Sequence, residues 1–567
     1  MLDTRSKQIL GTVVLTAVTA VTLVMAPYTS ADPINLPKLS ALAFISIIAF
    51  SLVVPQFKKL VLSQYRVLVG LIALFLVQII LVVAFSGANL GGQFYGTFGR
   101  NTGALAYISL AFILLASAIV SGADFLKKYI HLTLVVGAVL VFYGNIQYFG
   151  LEPFPFANAY TVNAPIGTFG NPDFQSAFMG LIAVVSFTSA LNKLYKPAPR
   201  IALVVMGFIS LVVVYETLAK QGYFAFLAGG GVVVVLWLFM MKRKTLALSL
   251  VGIGGVGGGL VFLGLINLGP FASRLYKASL EARGYYWRAA AKMLIEHPFV
   301  GVGMDGFGDW YRRSRAEDYA ANNFFSVSNT AHNVYLDIAS SGGFPLITIY
   351  LAILVLVIIS IVRVVKRSED FDLYFVAVVG AWTAYQVQSF VSINQLGLAI
   401  WGWVLSGLII GYEINTRHVE STTSTPAPSK NQRKGLKSSK STVNALPSTT
   451  VISLFAGVLL AALVAIPPYV ASSSYYSALK SGDAKRIQDA AYLKPYELMR
   501  FLQVAATLNS NKLEAQAISV VKDAAPKYPD SYDIWNLWAA IPSAAPSDIA
   551  YAKAQLKRLD PFNPDLK

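Results

Sequence analysis

Apolar runs alternate with short polar connections along most of the chain, and the ladder predicts membrane-crossing helices at 9–26, 39–55, 68–86, 103–121, 131–149, 173–191, 200–218, 222–240, 246–266, 343–362, 373–390, 394–412 and 451–469. Each is close to the roughly 20 residues that cross a bilayer. The first run has no small-residue cleavage pattern before Pro27 and reads as a retained helix. Three longer polar stretches interrupt the ladder, at 267–342, 413–450 and 470–567. The pattern predicts an all-α, polytopic integral membrane protein. About 12 core transmembrane helices occupy 1–412, and one more, at 451–469, precedes an extracytoplasmic helical tail, 470–567.

Charge adds sidedness. Lys and Arg gather on alternate connections, as Arg5 and Lys7, Lys58, Lys59 and Arg66, Lys127 and Lys128, Lys193, Lys196 and Arg200, Lys242 to Lys244, and Arg363, Lys366 and Arg367. The intervening short connections carry only Lys38, Arg100 and Lys220. By the positive-inside rule the N-terminus is cytoplasmic and 267–342 lies on the outer face. The net charge of +17 is thus a topology signal, and nucleic acid is not an expected partner. The 413–450 stretch, rich in Ser, Thr, Pro and Lys, reads as a disordered basic cytoplasmic linker on anionic lipid. Composition agrees: 56% of residues are hydrophobic, 13% are charged and none is cysteine, which excludes disulfides and thiolate sites.

Candidate chemistry concentrates in the outer excursion. Of the four histidines only His297 and His332 fall there, and no pair has the i, i+4 spacing of a helical metal site, so neither metal nor cofactor is expected. Ser328-Asn329-Thr330 before the periodic Val334, Leu336 and Ile338 places His332 in the first turn of a helix. The dipole there favours neutral imidazole, suited either to accept a proton or to cap. His297-Pro298 reads as a turn. Arg283 and Arg288 flank Trp287 on an interfacial helix, 283–296, where cations could meet substrate or snorkel to lipid phosphate. Gly301-x-Gly303-x-x-Gly306 lacks the βαβ context of a dinucleotide site and reads as a glycine turn. An internal echo, Gly96-Thr97-Phe98-Gly99-Arg100-Asn101 against Gly167-Thr168-Phe169-Gly170-Asn171-Pro172, sits on two outer connections.

Taken together, Arg283-Gly-Tyr-Tyr-Trp287, His297-Pro-Phe-Val-Gly301 and Ala331-His332-Asn333-Val-Tyr335-Leu336 resemble the core of the bacterial O-antigen ligase and O-antigen polymerase superfamily. The Arg100-Asn101 and Asn171-Pro172 elements resemble its Gly-x-x-x-Arg-Asn and Gly-x-x-x-Asn-Pro motifs, with Asp173 where Asn is commoner. Lys220, in Ala-Lys-Gln-Gly, stands where the superfamily typically has Arg, keeping the charge but not the bidentate fork.

The resemblance implies a metal-independent glycosyltransferase of the cytoplasmic (inner) membrane, acting on its periplasmic or extracellular face. The donor would be a polyprenyl-diphosphate-linked glycan and the acceptor a hydroxyl of a glycan, lipid or protein. It implies His332 as the base, and Arg283, Lys220, Arg100, Arg288, Asn171 and Asn333 as diphosphate and glycan contacts. Protein O-oligosaccharyl transfer and a lipid-linked glycan flippase are the alternative readings. The Ala-rich 470–567 tail resembles degenerate tetratricopeptide repeats or is a plain helical bundle, and is a candidate surface for a protein partner.

Overall fold

The computed structural model describes residues 2–154, 164–276, 278–323, 326–368, 370–422 and 446–566. Helices form where the apolar runs lie, because inside a bilayer every backbone N–H and C=O must pair within its own segment. In chain order they are α1 (Thr4–Leu23), α2 (Asn35–Val53), α3 (Arg66–Phe85), the short α4 (Leu90–Tyr95), α5 (Ala104–Val120), α6 (Ala123–Tyr148), α7 (Pro172–Ala190), α8 (Pro197–Glu216), α9 (Gln221–Met240) and α10 (Lys244–Leu265). The outer excursion holds α11 (Ala278–Glu296) and α12 (Phe307–Ser314). Then come α13 (Val334–Arg367), α14 (Leu373–Val391), α15 (Leu396–Thr422) and α16 (Ser448–Ser481). The described residues contain no strand.

Eleven of the described helices are long and apolar enough to cross a membrane. Against the thirteen expected, α5 is apolar but shorter, and α14, which carries Gln386 and Gln388, falls outside that set. The protein is therefore all-helical and multi-pass. Almost every side chain of α5, α7 and the apolar part of α15 is buried, so these form the centre of the bundle, while α10 is nearly all exposed at its edge. Lys38, one of the few cations on the outer connections, is consumed structurally. Its Nζ donates to the carbonyls of Val21, Thr22 and Val24, at 2.9, 2.7 and 3.1 Å, and so satisfies the end of α1.

Two expected boundaries move. The linker expected at 413–450 begins later, because α15 continues to Thr422. There Glu413 pairs with Arg367 and Arg417, which lets the helix run on in polar sequence. The stretch 423–445, with Arg433, Lys434, Lys437 and Lys440, lies outside the described residues. His332 is not in the first turn of a helix, because Asn333 takes the cap of α13 and leaves His332 ahead of it, in left-handed backbone with φ 52°.

The tail forms helices α17 (Ala484–Ala490), α18 (Leu498–Ser510), α19 (Glu514–Ala524), α20 (Tyr532–Ala540) and α21 (Pro546–Leu559). The α18–α19 and α20–α21 hairpins share a core that includes Phe501, Val520, Ile534 and Trp535. Its far end is tied to the excursion. Asp560, fully buried, accepts from Arg315 Nη2 at 2.8 Å and Arg312 Nη1 at 3.3 Å. Arg313 Nη2 reaches Asp530 at 3.0 Å, and the Asn89 amide donates to the Lys527 carbonyl at 2.8 Å.

Candidate functional site

The segment before α13 is shaped by Asp337, one turn inside the helix. Its carboxylate accepts from Thr330 Oγ1 at 2.5 Å and from the Ala331 N–H at 2.7 Å, while Thr330 Oγ1 also receives the His332 N–H at 3.2 Å. Asn333 accepts from the N–H groups of Tyr335 and Leu336 at 3.0 and 3.1 Å. These bonds hold His332 in a backbone region that costs a non-glycine residue about 1–2 kcal/mol. The imidazole packs on Tyr286, with ring centroids 5.6 Å apart. The Thr330 carbonyl, which can only accept, stands 3.5 Å from Nδ1, so the ring proton belongs on Nδ1 and Nε2 keeps its lone pair. Burial first, and then the charges of Arg283 and Arg100, push the His332 pKa down to about 4. At neutral pH the ring is an uncharged acceptor.

A second acid does comparable work for the Gly96–Thr102 turn. Asp305, in the glycine turn after α11, accepts from the Thr97 N–H at 2.7 Å and from the Thr102 N–H and hydroxyl at 3.3 and 3.0 Å. Arg100 Nε lies 3.9 Å from the same carboxylate, and Arg100 Nη1 donates to Asn329 Oδ1 at 2.8 Å. The glycine turn docks against α13 where that helix kinks at Gly343, φ 72°, just before Pro345. Gly301 meets the Ser340 carbonyl closely enough that no side chain fits, and the Val302 N–H donates to that carbonyl at 2.8 Å. Gln78 of α3 secures both sides of the kink by donating to the Phe299 and Gly342 carbonyls at 2.7 and 3.1 Å. The echo is conformational as well as sequential. Gly96, Gly99, Gly167 and Gly170 all take positive φ, at 85°, 77°, 54° and 77°.

These pieces surround a cavity of about 670 Å³, within the range of sites that enclose small-molecule ligands. Its membrane-side wall includes Asp32, Asn101, Arg283 and His332, and the tail supplies the opposite wall with Glu497, Arg500, Tyr528 and Asp533. Arg283 Nη2 lies 3.7 Å from Asp173 Oδ2, a partly exposed pair that leaves the guanidinium free to exchange partners. Asn101 is buried at the edge of the cavity, and its Oδ1 has no hydrogen-bond partner among the described residues. Burial raises the Glu497 pKa to about 7, with the nearby Asp32 charge adding to the effect. Among the described residues no three His, Asp or Glu side chains gather as a metal site requires.

Of the residues singled out in the sequence, the structure brings His332 and Arg283 to the cavity. Arg100 stands behind it, engaged with Asn329 and Asp305. Arg288 is exposed over the Tyr285 ring, 5.3 Å from its centroid, and Lys220 is exposed at the start of α9; neither lines the cavity. Asn171 caps α7 by accepting from the Asp173 N–H at 2.8 Å, and Asn333 caps α13. His297 ends α11 and packs edge-on against Trp310, 4.4 Å between centroids. Sequence reasoning missed Asp305, inside the glycine turn, and Asp337, just beyond the Ala-His-Asn motif, as well as Asn101, which the Arg-Asn motif contained. It also missed the whole tail wall.

Comparison with curated proteins gives no match. A family model described as O-Antigen ligase (Wzy_C) matches residues 205–351, from within α8 to the middle of α13. That stretch contains Lys220, Arg283, Arg288, His332 and Asn333, and leaves out Arg100, Asn171 and the tail. Over residues 205–351, the segment that carries both Arg283 and His332, the chain is similar to the O-antigen ligase family.

Proposed function

We propose that the chain transfers a glycan from a polyprenyl-diphosphate carrier to an acceptor hydroxyl, at the outer face of the cytoplasmic membrane. The observation that carries this reading is the placement of an uncharged imidazole and a guanidinium on one cavity, with a buried amide oxygen beside them. The acceptor oxygen attacks the anomeric carbon of the donor sugar, and its proton passes to His332 Nε2. The bond from that carbon to the carrier diphosphate breaks, and the departing charge settles on Arg283, which exchanges its weak pair with Asp173 for the phosphate oxygens. The positive charge comes from the protein, so we propose transfer without a metal. Glu497, Asp533 and Tyr528 on the tail wall suit sugar hydroxyls and ring faces.

A cell-free assay with lipid-linked glycan and candidate acceptors, read by product size, tests the proposal. A single added block indicates ligation and a ladder indicates polymerisation, while a protein product would favour the oligosaccharyltransferase alternative. Loss of the Arg283 hydrogen bonds, each worth roughly 1.5–3 kcal/mol when charge-assisted, should lower turnover by about tenfold to a hundredfold in Arg283→Ala. Arg288→Ala, outside the cavity, should stay within about twofold. Equal losses in both variants, or no transfer to any acceptor, would count against it.

A further inference from the structure

At the end of the bundle opposite the His332 cavity, the N-terminus of α3 and the C-terminal parts of α13 and α15 enclose a second cleft, about 520 Å³ in volume. Three arginines from three separate helices line it, Arg66, Arg363 and Arg417. Glu413 is the one acid in this lining, and it is already engaged, with its side chain almost fully buried between Arg367 and Arg417. Arg66 and Arg363 are exposed, and their side chains make no hydrogen bond or ion pair among the described residues. Deeper in the cleft the walls are apolar, from Leu68, Leu356 and Ile410. The positive-inside bias accounts for arginines at this face. It does not account for their convergence on an apolar-walled cleft between helices, since Lys58 and Lys59 lie outside that cleft.

We propose that this cleft is a binding site for an anionic diacyl phospholipid, with Arg66 and Arg363 on the headgroup phosphate and an acyl chain along Leu68, Leu356 and Ile410. Guanidinium matches phosphate in a bidentate manner, and an interhelical basic pocket with apolar depth distinguishes a lipid from a free anion.

The test uses the full-length protein purified in neutral detergent and follows its thermal midpoint as lipid is added. Phosphatidylglycerol should raise the midpoint several degrees more than phosphatidylcholine, and inorganic phosphate should not reproduce the rise. The Arg66→Gln/Arg363→Gln double variant should lose the difference between the two lipids, whereas Lys58→Gln/Lys59→Gln should keep it. Equal shifts with both lipids, a phosphatidylglycerol effect that survives loss of the two arginines, or a full response to inorganic phosphate alone would overturn the proposal. Should the arginine variant not fold, a photoactivatable phosphatidylglycerol on the wild-type protein decides. Crosslinks within 62–68 or 356–363 support the site, and crosslinks only elsewhere refute it.

Discussion

Burial and then the charges of Arg283 and Arg100 hold His332 near pKa 4, where it is a weak base, and of those two cations Arg283 is the one that would receive the donor. A bound diphosphate would offset Arg283 and let the imidazole recover basicity when it is needed. The pH profile should show this. Because the folded-state pKa is depressed, His332 stays deprotonated on lowering the pH through 6, and kcat/KM should fall only as pH approaches about 4. The acid limb of kcat, which reports the donor-bound state, should lie higher. Any limb near 7 belongs to Glu497 and should vanish in Glu497→Gln. A limb in kcat/KM near 6.5 that survives Glu497→Gln would show that burial and the charges of Arg283 and Arg100 do not depress the ring. At this scale the sequence named His332 and Arg283 through their motifs. It could not separate Arg283 from Arg288 or Lys220, because spacing says which residues share a helix and not which of them a cavity reaches. Asp305 was illegible for a related reason, since its partner Thr97 lies 208 positions away.

The elements show the same division between local and distant information. Apolar runs located the membrane helices, and the Gly343 kink falls where the 343–362 span was expected to begin. The helical tail was legible from its amphipathic pattern, but its docking was not, because Asp560 and Arg315 meet across 245 positions. The tail forms one wall of the cavity. Asp560 is the strongest tie, a buried carboxylate between Arg312 and Arg315. Removing one partner of a buried ion pair costs about 3–5 kcal/mol. Asp560→Ala should therefore lower the thermal midpoint and speed proteolytic release of the tail, while Lys553→Ala on exposed α21 should do neither. An unchanged midpoint and digestion rate in Asp560→Ala would mean that the tail is held elsewhere.

For the whole molecule, every connection that contributes to the cavity was assigned to the same face by the Lys and Arg ladder, from Asp32 and Asn101 to the excursion and the tail. In this cysteine-free chain, Glu317→Cys and Ser547→Cys should react with a membrane-impermeant maleimide in intact cells, and Lys193→Cys only after lysis. Labelling of Lys193→Cys in intact cells would invert the topology. The claim on which the functional account rests is that His332 takes the acceptor proton, and turnover of His332→Ala in the cell-free transfer assay tests it most directly. The expected result is a loss of about 10²–10⁴-fold with donor binding retained, beside near-normal activity in His297→Ala, whose ring packs on Trp310 away from the cavity. Wild-type turnover in His332→Ala would contradict it.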